Sequence, residues 1–486
     1  MSLLDEKWEA REPEWTFSTY AYHIAKWSIN VLRPSVFAKT PRKELTHTSW
    51  LDGLRGFAAF LVYWQHHQGW AHVGTSANNI LETSFGYKDQ YYFACLPGIR
   101  LFFTGGHVAV SVFFIISGYV LSAKPLALIH AGEVIKLGDN LSSAMFKRWP
   151  RLFLPAIITT FVYATSWHLF GLWTAVPVHQ NTYVEEVAYW YNDFTCFSWV
   201  FRGGNVHYSK YNFHLWSIAI EFRGSIVIFT SLLAFSRFRR NARLLCEVGL
   251  IFYFLYIVDG VLYAMFTAGM LLCDLETLAR NDDLPLFFYT HLRAYKKAIF
   301  YILLFFGIYL SGVPSIDFLT SISLLEESPG WNWLAHLKPT SVSESDYKWF
   351  YLFWASIFLV SSISQTRVKA FFEMRFNQYL GRISFALYLV HGPILWILAD
   401  RLYLAAGLTR EINVDGIRSW IGIFPLSKAG PLGLEFAFLA LHLIILPVTL
   451  WVAEICTTLV DKPSIKLAQW AYRKVQEFEV TQGGED

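Results

Sequence analysis

The residue pair with the clearest chemical potential is Arg55 and His66, in the run LDGLRGFAAFLVYWQHHQGW. Eleven residues separate them. At about 100° per residue that is within roughly 20° of three full turns, so a helix carries both on one face, about 16 Å apart along its axis. A guanidinium suits phosphate, and an imidazole moves protons near neutral pH. An acyl-CoA laid along such a face would meet Arg55 with a phosphate and His66 with its thioester. The plain alternatives are a snorkelling arginine and an interfacial histidine. His67, one step round the helix, reads as interfacial.

Further ionisable residues fall in apolar surroundings, where they are costly and mark function by default. His107 and His214 each open an apolar segment, and His391 lies mid-way along SFALYLVHGP. Their shared depth exceeds chance placement, although a single such histidine is more often a packing residue. Three histidines could ligate a metal, but they lie on different segments without local ligand spacing, so the expectation is no metal. Glu221, in HLWSIAIEF, needs a partner. It could orient an imidazole, hold an acceptor hydroxyl, or form a structural ion pair with Arg223 or Arg55. Arg148 and Arg151, in FKRWPRLFLP, stand three apart on one helix face. Two forked guanidiniums suit phosphate, and an ordinary collar of basic residues accounts for them equally. Pro150 fits the first turn of the helix that follows.

The elements that position these residues are read from composition. Of 486 residues, 54% are hydrophobic and only 16% charged, against about 25% charged in a typical soluble domain. A net charge of +3 is too weak for a nucleic-acid binder. Five cysteines exclude a disulfide scaffold, and no CxxC suggests zinc. No Walker A loop, GxGxxG, GxSxG or HExxH occurs. Apolar stretches approaching the roughly 20 residues of a membrane span recur at Leu51–Trp70, His107–Leu121, Leu152–Trp173, Phe213–Phe235, Leu245–Ile257, Val261–Cys273, Ile299–Gly312, Trp349–Ile363, Ile383–Tyr403 and Leu434–Val460. Splitting 245–273 at Asp259-Gly260 puts 28 Lys and Arg on one side and 10 on the other, which the positive-inside rule favours. The expected fold is all-α integral membrane, with about ten transmembrane helices and both termini cytoplasmic. Residues 1–48 form a cytoplasmic N-terminal segment, 49–463 the transmembrane domain and 464–486 a cytoplasmic tail, continuing as an amphipathic surface helix. Cys95 and Cys196 fall in outer segments, paired or free. Asn140 heads a sequon in an inner loop and should stay unmodified.

Taken together these pieces resemble acyltransferase family 3, the multi-pass membrane O-acyltransferases, and most of all its fungal branch. The resemblance runs from about 45 to 465. It rests on Arg55 and His66; on VAVSVFFIISGYVLS with Phe113, Phe114, Ser117 and Gly118; on Arg148 and Arg151 before Pro155; on Leu215, Trp216, Ser217 and Glu221; on Ser384 through His391; and on VDKPS at Val460–Ser464. After Glu221 the family often continues with Glu or Trp and then Gln-Phe, where this chain has Phe222-Arg223-Gly224.

The resemblance implies transfer of an acyl group, acetyl above all, from acyl-CoA to a hydroxyl of a small terpenoid or polyketide alcohol or of a glycan. His66, Arg55 and Glu221 would be catalytic. Arg148, Arg151 and Ser117 would hold the CoA, and His107, His214, Trp216 and His391 the acceptor. The partners would be the lipid bilayer, acyl-CoA and the hydroxylated acceptor. The competing reading is a multi-pass transporter or proton-coupled permease using the Arg/His pair as a relay, against which stands the lack of an internal repeat. A catalytically dead acyl sensor is a third.

Overall fold

A computed structural model of the chain describes residues 17–35, 44–73, 77–201, 208–316, 321–408 and 415–482. The protein is 75% helical, and the described residues contain no strand. The chain divides at Glu44. The first unit holds α1 (Phe17–Leu32); residues 1–16 and 36–43 of the expected N-terminal segment lie outside the described residues. The second unit contains the long helices α2 (Ser49–His72), α3 (Gly106–His130), α4 (Val134–Phe170), α5 (Tyr183–Ser198), α6 (Trp216–Phe235), α7 (Arg240–Phe252), α8 (Val261–Arg280), α9 (Lys296–Leu310), α10 (Tyr347–Ile363), α11 (Arg375–Ile394), α12 (Phe436–Cys456) and α13 (Lys462–Gln482).

Helix stands at each of the ten apolar segments. Among the described residues six stretches are long and apolar enough to cross a membrane: Gly106–His130, Val134–Phe170, Phe213–Phe235, Val261–Arg280, Arg375–Ala405 and Phe436–Gln476. The other four fall short for physical reasons. Helix α2 is 24 residues long but carries Asp52, Arg55, three histidines and two glutamines, the polar groups that make it chemically interesting. Helices α9 and α10, at 15 and 17 residues, reach about 22 and 26 Å against a hydrocarbon core of about 30 Å. Helix α7 ends in one wide turn, Tyr253–Ile257, and the chain breaks at Val258–Gly260 before α8 begins.

Helix α4 corrects one local reading. It starts at Val134 rather than near Leu152, and Pro150 and Pro155 both lie inside it. Each proline removes one backbone hydrogen bond, but the helix carries on through both. Its end is sharp, because Gly171 takes φ +62° and its amide donates to the Trp167 carbonyl. Outside the bundle, α5 opens with a capping box in which Thr182 and Glu185 satisfy each other's backbone amides.

Two helix pairs are drawn together by glycine. A Cβ on Gly56 would lie 2.2 Å from the Gly381 nitrogen, and one on Gly381 would lie 2.3 Å from the Asp52 carbonyl oxygen. Gly118 and Gly269 make the same backbone approach between α3 and α8. Small residues permit such contact where lipid supplies no hydrophobic drive. The α2–α11 pair matters most, since it fixes the register of the residues that follow.

Candidate active site

Both residues of the Arg55/His66 face meet α11. The Arg55 Nε donates to Ser384 Oγ at 3.1 Å and its NH2 to the Gly381 carbonyl at 3.1 Å. Eleven residues on, His66 Nδ1 lies 3.0 Å from His391 Nε2. His214, on a single turn (Phe213–Leu215) ahead of α6, stacks on His66 with ring centroids 3.9 Å apart. Trp396 also stacks on His214, with centroids 5.3 Å apart. His391 and His214 are 1% and 4% exposed.

The hydrogen bonds fix the protons. His391 Nδ1 sits 3.2 Å from the Leu387 carbonyl oxygen, which can only accept. Nδ1 therefore carries the hydrogen and Nε2 of the neutral ring accepts. His66 Nδ1 must then donate to it, and the lone pair of His66 resides on Nε2. This is the tautomer a general base requires, held by a second histidine that is itself oriented by the backbone.

The three rings also bring one ligand nitrogen each within 4.8 Å of one another. Their geometry does not suit a common ion. Imidazole lone pairs lie in the ring planes, and ligands to one metal must converge on it at about 2.0–2.1 Å. Here His214 is stacked on both partners, at 28° and 30° between planes, and His66 and His391 are nearly parallel at 7°. The arrangement matches a shared proton.

Around this trio several buried polar atoms have no hydrogen-bond partner among the described residues. They include Trp64 Nε1, His67 Nε2, His442 Nε2, Asn212 Oδ1, His214 Nδ1 and Trp396 Nε1. Each such group costs about 1–3 kcal/mol when left unpaired, so these atoms call for water or a ligand to complete them. His67 belongs here and corrects the interfacial reading: it is 0% exposed, with Nδ1 2.7 Å from the Tyr403 hydroxyl.

The arginines form a separate, well-paired group. Arg148 donates from Nε to Ser225 Oγ at 2.6 Å and from NH2 to Glu221 Oε2 at 2.7 Å and Ser117 Oγ at 3.1 Å. Ser117 donates in turn to Glu221 Oε2 at 2.7 Å. Glu221 thus pairs with neither Arg223 nor Arg55; Arg223 Nε donates to the Val200 carbonyl and Arg55 pairs with Asp52 at 3.2 Å. Arg151 is exposed and forms no hydrogen bond or ion pair among the described residues. It lies within electrostatic reach of Arg55, Arg148, Glu221 and Asp461.

Two expected acceptor residues stand apart. His107 Nε2 lies 3.0 Å from Gln65 Nε2 and 3.6 Å from Glu82, on a different face of α2 from His66. Trp216 packs between Phe114 and Trp349. Sequence reasoning missed Asn212, which donates to the Leu389 carbonyl at 3.0 Å and so fastens the His214 turn to α11. It missed Tyr388 as well, whose hydroxyl donates to the His214 carbonyl and lies 2.8 Å from Ser217 Oγ. Trp396 and His442 gave no local signal. The motif LYLVH did contain Tyr388, and a buried tyrosine three residues before a histidine was the available hint. Cys95 and Cys196 are both free; Cys95 Sγ donates to the Ile80 carbonyl at 3.2 Å.

The family model for the acyltransferase domain of acyltransferase family 3 matches residues 48–453. The chain belongs to acyltransferase family 3. Among curated proteins it is 28% identical over 498 residues to the O-acetyltransferase PaAT-1 of Phomopsis amygdali, an alignment covering 94% of this chain and 90% of that one. It is 24% identical over 398 residues to the acyltransferase clz18 of Cochliobolus lunatus, covering 71% and 82%. No solved structure matches. Family and helices together make this acyltransferase an integral membrane protein.

Proposed function

We propose that this acyltransferase moves an acetyl group from acetyl-CoA to a hydroxyl of a small apolar metabolite, through a bundle of ten spans with both termini in the cytoplasm. The observation that carries the reading is the pair of contacts His66 Nδ1–His391 Nε2 and His391 Nδ1–Leu387 carbonyl, from which the order of donation places the His66 lone pair on Nε2. In this mechanism His66 Nε2 takes the proton of the acceptor hydroxyl as its oxygen attacks the thioester carbonyl. The tetrahedral intermediate collapses with cleavage of the C–S bond, and His66 returns the proton to the departing thiolate. Ester and thiol form with no net proton gained or lost. His391 spreads the charge on His66 while the proton is held, and His214 keeps both rings aligned by stacking. Arg151, at the edge of the arginine group, takes a phosphate of the donor, while Arg148 and Glu221 hold α3, α4 and α6 together beneath it. The named activity of PaAT-1 supports acetyl transfer.

The test uses purified full-length protein in detergent with radiolabelled acetyl-CoA and a panel of terpenoid and polyketide alcohols. Wild type is expected to form labelled ester, and His66→Ala to lose it while still binding CoA. Protein that neither binds nor consumes any acyl-CoA sinks the proposal, and flux assays in proteoliposomes become the next experiment.

A further inference from the structure

The triplet His391-Gly392-Pro393 breaks the regular pattern of α11, which runs on through Pro393 to Ile394. A helical carbonyl accepts from the N–H four residues on, and proline has no N–H. The Leu389 carbonyl, four residues before Pro393, therefore lacks its ordinary backbone donor. The donor it has instead is Asn212 Nδ2, at 3.0 Å. Asn212 stands directly before the single turn Phe213–Leu215 that carries His214.

Gly392 supplies the room for that turn. A Cβ at this position would lie 2.7 Å from His214 Nδ1, 3.1 Å from Asn212 Oδ1 and 3.1 Å from Trp396 Cη2. All three neighbours are side-chain atoms, and the nearest belongs to the His214 ring itself. A methyl group at 392 would thus push on His214 before it met any backbone. Past Pro393 the chain makes the wide turn Leu395–Ala399. That turn holds Trp396, whose ring plane lies 13° from that of His214.

Resting on the reading of His66 as the base, we infer that Gly392 and Pro393 are positioning residues. Together they make a socket on α11 for the Asn212–His214 turn, and so hold His214 stacked on His66 at 3.9 Å and on His391 at 4.7 Å. Gly392 acts by its missing side chain and Pro393 by its missing N–H. Three consecutive residues thus assemble the trio: His391 meets His66 at 3.0 Å, Gly392 leaves space for His214, and Pro393 leaves a carbonyl for Asn212. A proline inside a helix weakens it. Alanine at 393 should therefore strengthen the helix and weaken the catalyst, a combination that a purely structural role does not give.

The test uses the full chain in detergent, with acetyl-CoA as donor and the terpenoid and polyketide alcohols of the panel as acceptors. Gly392→Ala is expected to lower kcat by about 10²-fold, the cost of displacing a group by about 1 Å, with the KM for acetyl-CoA unchanged. Pro393→Ala is expected to lower kcat by about 5-fold, the worth of one hydrogen bond, while the thermal midpoint holds or rises. Two double variants isolate the cause. His214→Ala removes the ring that the new methyl strikes, and Asn212→Ala removes the donor that the restored N–H displaces. Gly392→Ala should then add no loss to His214→Ala, and Pro393→Ala none to Asn212→Ala. Losses that multiply in either pair overturn the inference, as do wild-type kcat values in both single variants. If Gly392→Ala does not fold, the Pro393 and Asn212 variants decide alone. NMR of isotope-labelled histidine rings gives a readout that needs no turnover. If acetyl-CoA is never consumed, the acyltransferase reading fails by itself; a His214 signal moved by Gly392→Ala still supports the socket, and an unmoved one overturns it.

Discussion

The two ends of the Arg55/His66 face are built on opposite principles. At the arginine end the charges are matched: Arg148 is held by Glu221, Ser117 and Ser225, and Arg55 by Asp52, Ser384 and the Gly381 carbonyl. At the histidine end the trio is joined ring to ring, His66 to His391 by a hydrogen bond and His214 to both by stacking, and buried atoms such as His214 Nδ1 and Trp396 Nε1 have no partner among the described residues. A region whose polar groups satisfy one another is finished as structure. A region whose polar groups are buried and unsatisfied is finished only when water or a ligand completes it. On the proposed reading, the acyltransferase uses its paired arginines for architecture and its histidine end for substrate.

The largest effect should come from breaking the histidine end. His66→Ala is expected to lower acyl transfer by about 10²–10⁴-fold, the range for removal of a positioned base, with CoA affinity retained. His391→Phe leaves the base in place but removes the acceptor that fixes its tautomer, so a smaller loss in kcat is expected with little change in the KM for acetyl-CoA. Steady-state kinetics on the two variants side by side check the order; equal losses would make His391 a partner in the chemistry itself.

Breaking the arginine end should cost stability first. Glu221→Gln leaves the largely buried Arg148 guanidinium without its counter-charge, at a cost of up to about 3–5 kcal/mol, the figure for a fully buried pair. A large drop in the thermal midpoint in detergent is expected. Arg148→Gln combined with Glu221→Gln should recover part of it, because the double change removes both charges of a directly coupled pair. A Glu221→Gln protein of wild-type stability that has lost turnover would reverse the comparison and move Glu221 into the chemistry.

These two ends differed in how far the chain disclosed them. The helical repeat alone placed Arg55 and His66 on one face, and α11 meets both. That reading needed only the angle per residue. The partner of Glu221 was not legible. Arg223, two residues away, points to another side of the helix, and the actual partner, Arg148, lies 73 positions earlier on α4. His442 and Trp396 were silent for the same reason: nothing local marks a histidine in FAFLALHLIILP as one packed against the rings of α2. The ten apolar segments all became helix, but Pro150 misled, because a proline that suits a first turn can also sit inside a long helix whose neighbours support it. The four-histidine convergence was three-quarters correct in space. His107 shares the depth of the others by chain position and is turned to Gln65 by the face of α2 it meets.

The α2–α11 contact joins the two ends and gives a third test. Gly56→Ala would place a methyl carbon 2.2 Å from the Gly381 nitrogen, against backbone that cannot rotate away. The helices must part, at about 1–3 kcal/mol for overpacking of this kind. Because Arg55 and His66 both reach α11, the shift should also lengthen the His66–His391 contact and lower kcat, and Gly53→Ala, against the Phe372 carbonyl, should do the same. Gly249→Ala meets nothing within 4 Å and serves as the control; equal effects at Gly56 and Gly249 would detach the site from this helix pair.

The smallest expected effect sharpens the arginine end. Arg151 is the one member of that group exposed and without a hydrogen bond or ion pair among the described residues, so its loss should leave the bundle intact. Arg151→Gln is expected to raise the KM for acetyl-CoA by about 10-fold, the value of one charge-assisted hydrogen bond to a phosphate. The thermal midpoint and the kcat at saturating donor should stay near wild type. Raising salt should weaken donor binding in wild type more than in the variant, since the lost contact is the screened one. Arg151→Lys, which keeps the charge but not the fork, should fall between the two. If Arg151→Gln binds donor as wild type does, the exposed guanidinium belongs to the basic collar of the membrane surface, and the phosphate must be met by groups already paired in this structure.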